Sequence, residues 1–306
     1  MTSMKKMRIL VTGGAGFIGS HLVDYLLVTM AKDFELIVID NLSTGKIENL
    51  QNLSRITFMK RDIRDFNSIL PFFHGVDCVF HLAAMARIQP SIQNPEESHS
   101  NNVDGTFNVL RAIKEEGVKK IIYSASSSVY GDQDTLPLIE TMTPKPKNPY
   151  AYFKLMGEQM CELFHKMYGI ETVCLRYFNV YGERQPTEGA YATVIGKFLS
   201  MKKQGYRLSI VGDGEQRRDF TYVKDVARAN VNAMLSQEAI GEVINIGSGV
   251  NYSVNEVAGM IKHKTIPVPE RLGEARLTLA DISKAERLLS WKPTVMLGDW
   301  LKKINK

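Results

Sequence analysis

Tyr150 and Lys154 stand four residues apart in the run Asn148-Pro149-Tyr150-Ala151-Tyr152-Phe153-Lys154. On a helix that spacing puts both side chains on one face, one turn apart. Asn148 suits the cap of such a helix and Pro149 its first position. An ammonium held beside a phenol favours the phenolate, so Lys154 is expected to draw the Tyr150 pKa toward neutrality. A phenol tuned in that way can take a proton from an alcohol and later return it. The same spacing also occurs on solvated helix faces, so the pair takes its meaning from its surroundings.

A second constellation lies near the start. Arg8-Ile9-Leu10-Val11 reads as a strand, and Thr12-Gly13-Gly14-Ala15-Gly16-Phe17-Ile18-Gly19 as a glycine turn running into a helix. Gly13 permits the tight turn, Gly16 lets the backbone approach a pyrophosphate, and Gly19 lets helix and strand pack closely. The pyrophosphate would rest on the first helical amides, at Phe17, Ile18 and Gly19, favoured by the helix dipole. Asp40 ends the next strand, at about the 20-residue distance expected of a carboxylate that binds an adenosine ribose diol. That carboxylate repels a 2′-phosphate, and Asn41 to Lys46 contain no arginine. The expected cofactor is therefore NAD, with Lys46 the one nearby cation able to reach a phosphate. After the third strand, Ile63 would flank an adenine. Asp62 would either accept from the adenine amine or cap the helix that follows.

The elements that must position these groups alternate. Met7–Val11, Glu35–Ile39, Ile56–Met59, Cys78–Leu82 and Lys120–Ser124 read as strands. Gly16–Met30, Phe66–Phe73, Ser98–Gly117 and Pro149–Tyr168 read as helices. Apolar runs without polar alternation, separated by helices, predict a buried parallel sheet with right-handed crossovers, an α/β doubly wound (Rossmann) domain over 1–175. Beyond it, 176–306 reads as a smaller, partly discontinuous α/β substrate lobe.

The chain has 306 residues, 44% hydrophobic and 23% charged, with a net charge of +5. The basic excess is mild and scattered, which argues against a nucleic-acid surface. No apolar run approaches the ~18 residues of a membrane span. Met1 to Arg8 are basic but lead into a strand and not a signal-peptide core, so a cytoplasmic enzyme is expected. Cys78, Cys161 and Cys174 lack zinc or redox spacing. His81 has no partner at useful spacing, so no metal is expected.

With the glycine turn at 12–19, His81-Leu82-Ala83-Ala84, Ser126-x-x-Val129-Tyr130-Gly131 and Tyr150-x-x-x-Lys154, the chain resembles the extended short-chain dehydrogenase/reductase family. The likeness continues in order through Arg176-Tyr177-Phe178-Asn179-Val180-Tyr181-Gly182, Gly212-Asp213-Gly214, Arg218-Asp219-Phe220 and Ala280-Asp281-Ile282-Ser283-Lys284. Within that family it is most similar to nucleotide-sugar 4-epimerases, which work through a transient 4-keto sugar with tightly bound NAD. The resemblance implies that Ser126 and Tyr150 hold the sugar 4-oxygen and that Lys154 binds the nicotinamide ribose. It places Leu82, Ala83 and Ala84 along the cofactor, and Asn179 at the substrate. Arg218 and Arg271 would hold the diphosphate, for which planar guanidinium donors are apt. Met85, Ala86 and Arg87 would line the sugar pocket.

Related dehydratases carry an Asp-Glu pair directly after the catalytic Ser/Thr, and decarboxylases a Glu just before Val-Tyr-Gly. Here those positions are Ser127 and Ser128, so epimerisation is expected over dehydration. Thr278 stands where a large aromatic would confine the pocket to plain hexoses. With small Ala86, and with Gln185 matching a glutamine of hexosamine-specific enzymes, it implies UDP-GlcNAc/UDP-GalNAc as substrates, with UDP-Glc/UDP-Gal alongside. Ser98–Gly117 and Pro149–Tyr168 carry apolar faces that could pack within the chain; the resemblance implies that they pair across a two-fold axis as a four-helix bundle, and a homodimer is expected.

Overall fold

The apolar runs of the first half lie side by side at the centre of the molecule. A computed structural model describes residues 6–30 and 34–304; Met1 to Lys5 of the basic start lie outside that range. In chain order the first half contains β1 (Met7–Thr12), α1 (Phe17–Thr29), β2 (Phe34–Asp40), β3 (Thr57–Lys60), α2 (Phe66–Ile69), β4 (Cys78–His81), α3 (Ile88–Gln93), α4 (Pro95–His99), α5 (Gly105–Glu116), β5 (Lys120–Ser126) and α6 (Pro149–Tyr168). There follow β6 (Glu171–Tyr177), β7 (Val180–Tyr181), α7 (Val194–Lys203), β8 (Leu208–Val211), β9 (Arg217–Asp219), β10 (Thr221–Tyr222), α8 (Val223–Leu235) and β11 (Val243–Ile246). The chain closes with β12 (Asn251–Ser253), α9 (Val254–Ile261), β13 (Thr265–Val268), α10 (Ser283–Leu289) and α11 (Leu297–Ile304).

Seven strands form one sheet in the order β11-β6-β5-β4-β1-β2-β3, every neighbouring pair parallel. Successive side chains of a strand point to opposite faces, and β1 shows why its run has no polar alternation. Ile9 and Val11 pack with Leu22, Leu26 and Val226 on one face, while Leu10 packs with Val109, Ile113 and Phe164 on the other. Strand order reverses between β2 and β4 about β1, which places a crevice at the C-terminal ends of those strands, where ligands bind in open α/β sheets.

The sheet crosses the boundary drawn at residue 175. Its outer strand β11 comes from the second half, and α8 packs on α1. The remaining second-half segments form a lobe with its own core around Tyr181, Ile195, Phe198, Leu208, Val257 and Leu301. That lobe stands over the C-terminal strand ends.

Two segments differ from the sequence expectation. The helix expected over Ser98–Gly117 begins earlier, at Pro95 after its Asn94 cap, and is interrupted by a π turn over Ser100–Asp104. The cause is Asn102: its amide donates to the Met85 carbonyl at 3.0 Å and accepts from the Met85 N–H at 2.9 Å, and widening the helix directs that side chain inward. No element is assigned to Ile88–Gln93 from the sequence, where Pro90 and the polar residues around it hide the short helix α3.

Candidate active site

Helix α6 starts as its sequence dictates. The Asn148 side chain accepts from the Ala151 N–H at 2.9 Å and Pro149 fills the first turn. Ser91 of α3 accepts from the Tyr150 N–H at 3.1 Å, so the first turn of α6 is docked onto α3. Ser126 ends β5, and its hydroxyl lies 2.8 Å from that of Ser128. The same Ser126 hydroxyl holds the Tyr150 phenol pKa lower than burial alone would set it. Ser126, Tyr150 and Lys154 therefore meet in one cleft of about 470 Å³, a size typical of small-molecule sites.

The electrostatics of the pair differ from the expectation. Lys154 is 3% exposed. Its ammonium donates to the Ser124 carbonyl at 2.6 Å and lies 4.9 Å over the Tyr123 ring. Burial pushes its pKa down to about 8. The Tyr150 phenol is pushed up, chiefly by burial, and only the Ser126 hydrogen bond and the charge of Arg87 pull it back. The drawing-down of Tyr150 by Lys154 is thus a correction: the ammonium points down to a carbonyl at the end of β5, and Arg87 is the cation that Tyr150 feels.

Arg87 is held in an unusual way. Its φ is 104°, a region that residues with a side chain rarely adopt and that costs about 1–3 kcal/mol. Its Nε donates to the Tyr191 carbonyl at 2.9 Å, which ties the start of α3 to the loop before α7.

At the cofactor end the three glycines do different work. A Cβ on Gly13 would stand 2.6 Å from the Ala83 nitrogen, and one on Gly19 would stand 2.1 Å from the Gly13 carbonyl oxygen. A Cβ on Gly16 would meet only that oxygen, at 3.2 Å, and otherwise project into open space. Gly16 caps α1 with no side-chain acceptor, leaving the first helical N–H groups for an anion. Gly13, Gly16, Phe17, Ile18, Gly19, Asp40, Asn41, Ile63, Leu82, Ala83 and Ala84 all line the cleft. The Asp40 carboxylate accepts from the Ala15 N–H at 3.0 Å and from the Leu42 N–H at 2.8 Å, and burial raises its pKa. A glycine cradle, a free helix N-terminus and a fixed carboxylate one strand away fit NAD.

Asp62 is the exception at this end. Its carboxylate binds the Arg64 guanidinium at 2.7 Å and the Asn41 amide at 3.0 Å, which holds it at a pKa of about 2, and it is not among the cleft-lining residues. It does not cap α2 either; Asp65 does, accepting from the Ser68 N–H. Asp62 holds its own turn through Arg64 and anchors the Asn41 side chain.

The other end is cationic. Arg218 donates to the carbonyls of Arg217 and Arg276 and pairs with Glu274 at 3.2 Å. Arg271 faces the cleft beside Lys197 of α7, whose pKa is lowered by burial and by the Arg271 charge. Two cations turned toward one another in a cleft are what a diphosphate can satisfy. Asn179, Ala86 and buried Thr278 also line it. Gln185 does not: it is buried, and its amide oxygen accepts from the Thr193 hydroxyl at 2.7 Å, bracing the cap of α7. The sequence also left Asp219 and Lys197 without roles. Asp219 is fully buried and accepts from the Ser248, Gly249 and Ala280 N–H groups, gathering three segments behind Thr278.

The profile described as the NAD dependent epimerase/dehydratase family matches residues 9–247. A putative UDP-glucose 4-epimerase of Methanocaldococcus jannaschii is 40% identical, covering 97% of this chain and 96% of its own. The solved UDP-N-acetylglucosamine 4-epimerase from Methanobrevibacter ruminantium, in complex with UDP-N-acetylmuramic acid, is 38% identical with a TM-score of 0.90 over 99% of both chains. The UDP-glucose 4-epimerase of Thermotoga maritima, solved with UDP-glucose, is 39% identical with a TM-score of 0.91, covering 97% of this chain and 96% of that one.

Proposed function

The chain belongs to the NAD-dependent epimerase/dehydratase family, and on that premise we propose that it inverts C4 of a UDP-sugar. The observation that carries epimerisation over dehydration is the scarcity of acids. Among the described lining residues the only carboxylates are Asp40 and Glu274; the first is at the cofactor end and the second is paired with Arg218. Ser127 and Ser128 follow Ser126 where a second acid–base pair would be needed. A site without them can move a proton at one oxygen only, through Tyr150.

NAD, when bound, supplies a reversible two-electron acceptor for C4. The residues of the chain do the rest. Ser126 and Tyr150 bracket the 4-hydroxyl, and Tyr150 as phenolate takes its proton. Lys154 would hold the nicotinamide ribose. Arg218 and Arg271 hold the diphosphate while the 4-keto sugar turns, so that C4 would regain its hydride on the opposite face while Tyr150 returns the proton to the 4-oxygen. For the sugar we propose an N-acetylhexosamine, UDP-GlcNAc/UDP-GalNAc, supported by the small side chains of Ala86 and Thr278 along the cleft.

The test is incubation of the purified protein with UDP-GlcNAc, UDP-GalNAc, UDP-Glc and UDP-Gal, without added cofactor, and separation of the products. A mixture of C4 epimers is expected. A 4-keto-6-deoxy sugar would sink the reading.

A further inference from the structure

We propose that Asn148 is a positioning residue for the nucleotide end of the site: its side-chain amide fastens the segment 271–276, which carries Arg271, to the first turn of α6, which carries Tyr150. The inference rests on the epimerase reading of the cleft and names what joins its two ends. Asn148 is 6% exposed, and both halves of its amide are used. The oxygen accepts from the Ala151 N–H at 2.9 Å, and the nitrogen donates to the Gly273 carbonyl, 125 positions on, at 2.9 Å. An N–H partner on one side and a carbonyl on the other admit one orientation of the amide. Tyr150 stands two residues after Asn148, and Arg271 two before Gly273. One hydrogen bond therefore links the surroundings of the proton carrier to those of the diphosphate cation. All four residues line the cleft.

The segment 271–276 belongs to no helix or strand, and side chains from α3 and from the approach to α6 hold it. Three successive carbonyls each accept from a different donor. Leu272 takes the Gln89 amide at 3.0 Å, Gly273 that of Asn148, and Glu274 the Lys147 ammonium at 3.2 Å. Beyond them, Asp132 accepts from the Arg276 N–H at 2.8 Å, and Arg218 pairs with the Glu274 carboxylate at 3.2 Å. Gly273, with φ at 81°, lies close against its support. A Cβ there would stand 3.1 Å from Ile92 Cδ1 and 3.3 Å from Asn148 Cβ. Of the three donors, Gln89 is half-buried and Lys147 exposed, so water can replace either. Asn148 is the buried one, and a buried hydrogen bond left unmade costs more than one that water replaces. The tie to Asn148 is the one that sets where the segment sits.

The test is a double-mutant cycle on UDP binding to NAD-loaded protein, read by titration calorimetry, with steady-state kinetics beside it. Asn148→Asp and Asn148→Ser both keep an oxygen that can cap α6, so the fold is retained. The first has no donor for Gly273, and the second is too short to reach both partners. Each is expected to weaken UDP binding about tenfold. KM for the UDP-sugar should rise in step while kcat changes little, the mark of lost binding shared by ground and transition states. Uridine, which lacks the diphosphate, should bind both variants as it binds wild type. In an Arg271→Met background, where the guanidinium that the tie positions is gone, Asn148→Asp is expected to add little. Unchanged UDP affinity in both Asn148 variants overturns the proposal. So does a loss that persists undiminished in the Arg271→Met background, because Asn148 would then act elsewhere than on Arg271. Wild-type protein that binds UDP but turns over no UDP-sugar would remove the epimerase reading, while the cycle would still decide the role of Asn148.

Discussion

Glu158 and Arg176 form a buried two-pronged ion pair one turn below Lys154: Nε to Oε1 at 2.9 Å and a terminal nitrogen to Oε2 at 2.7 Å, with both side chains about 95% covered. The pair joins α6 to β6. Removing one partner leaves the other charge buried and alone, which typically costs about 3–5 kcal/mol. Glu158→Gln is therefore expected to lower stability by about that amount in denaturant unfolding. Replacing both by Met is expected to cost far less, because no charge is then stranded. Equal losses in the single and double variants would count against this account.

Local spacing made much of the site legible. Gly13, Gly16 and Gly19 act within one turn, and Tyr150 and Lys154 within another, so a pattern of a few residues specifies each. The strands were readable because both faces of the sheet are covered, which leaves runs such as Ile9-Leu10-Val11 wholly apolar. What escaped depends on partners distant in the chain. Arg87 meets Tyr191, 104 positions away, and Asn102 meets Met85 through a π turn that no periodicity announces. Lys154 was assigned the right face of the right helix but the wrong neighbour, since the Ser124 carbonyl that captures its ammonium lies 30 positions back. Gln185 and Asp62 misled for a related reason: each is satisfied by a residue of its own loop, Thr193 and Arg64.

The depressed pKa of Lys154, about 8 against 10.5, predicts how stability varies with pH. The unfolded chain binds this proton more readily than the folded one, so the buried charge is a penalty below pH 8. The penalty fades as pH rises from 8 to 10.5, and stability rises with it. A shift of that size corresponds to roughly 3 kcal/mol. In cofactor-free protein, wild type is expected to gain stability relative to Lys154→Met over this window, as read by urea unfolding at stepped pH. Parallel curves for the two proteins would show that Lys154 is not held as described.

Tyr150→Phe tests the acid–base role without disturbing the cradle for NAD. The Ser126 hydroxyl still has Ser128 as a partner, and the ring still fills its place on α6. Turnover is expected to fall by about 10²–10⁴-fold, the usual worth of a positioned proton carrier. Bound dinucleotide, released by denaturation and measured by absorbance, should match wild type. Activity within a few-fold of wild type would remove Tyr150 from the reaction.

Thr278 is 6% exposed and lines the cleft, with its hydroxyl oxygen accepting from the Asp219 N–H at 3.3 Å. A tyrosine there would fill the space proposed for the N-acetyl group. Thr278→Tyr is expected to lower kcat/KM for UDP-GlcNAc at least about tenfold relative to UDP-Glc, the scale on which steric pockets discriminate. The ratio between the two sugars is the readout, so a general loss from overpacking does not mimic the result. Equal losses on both would mean that Thr278 does not gate the acetyl group.

Helix α6 also presents a face that nothing among the described residues covers. Tyr152, Met156, Leu163 and Met167 recur at spacings of four, seven and four, and are 56%, 36%, 54% and 67% exposed. Phe107 of α5, 48% exposed, lies beside them and packs edge-on against Phe164. Residues at these spacings fall on one stripe of a helix, and a contiguous apolar stripe of this kind marks an association surface. A second copy of the chain would match it stripe to stripe about a two-fold axis, giving a bundle of two α5 and two α6 helices. Leu163→Glu would set two like charges facing each other near that axis and leave the cleft untouched, since Leu163 points away from it. Light scattering is expected to give a dimer for wild type and a monomer for the variant, with NAD content unchanged. A monomeric wild type would refute the bundle.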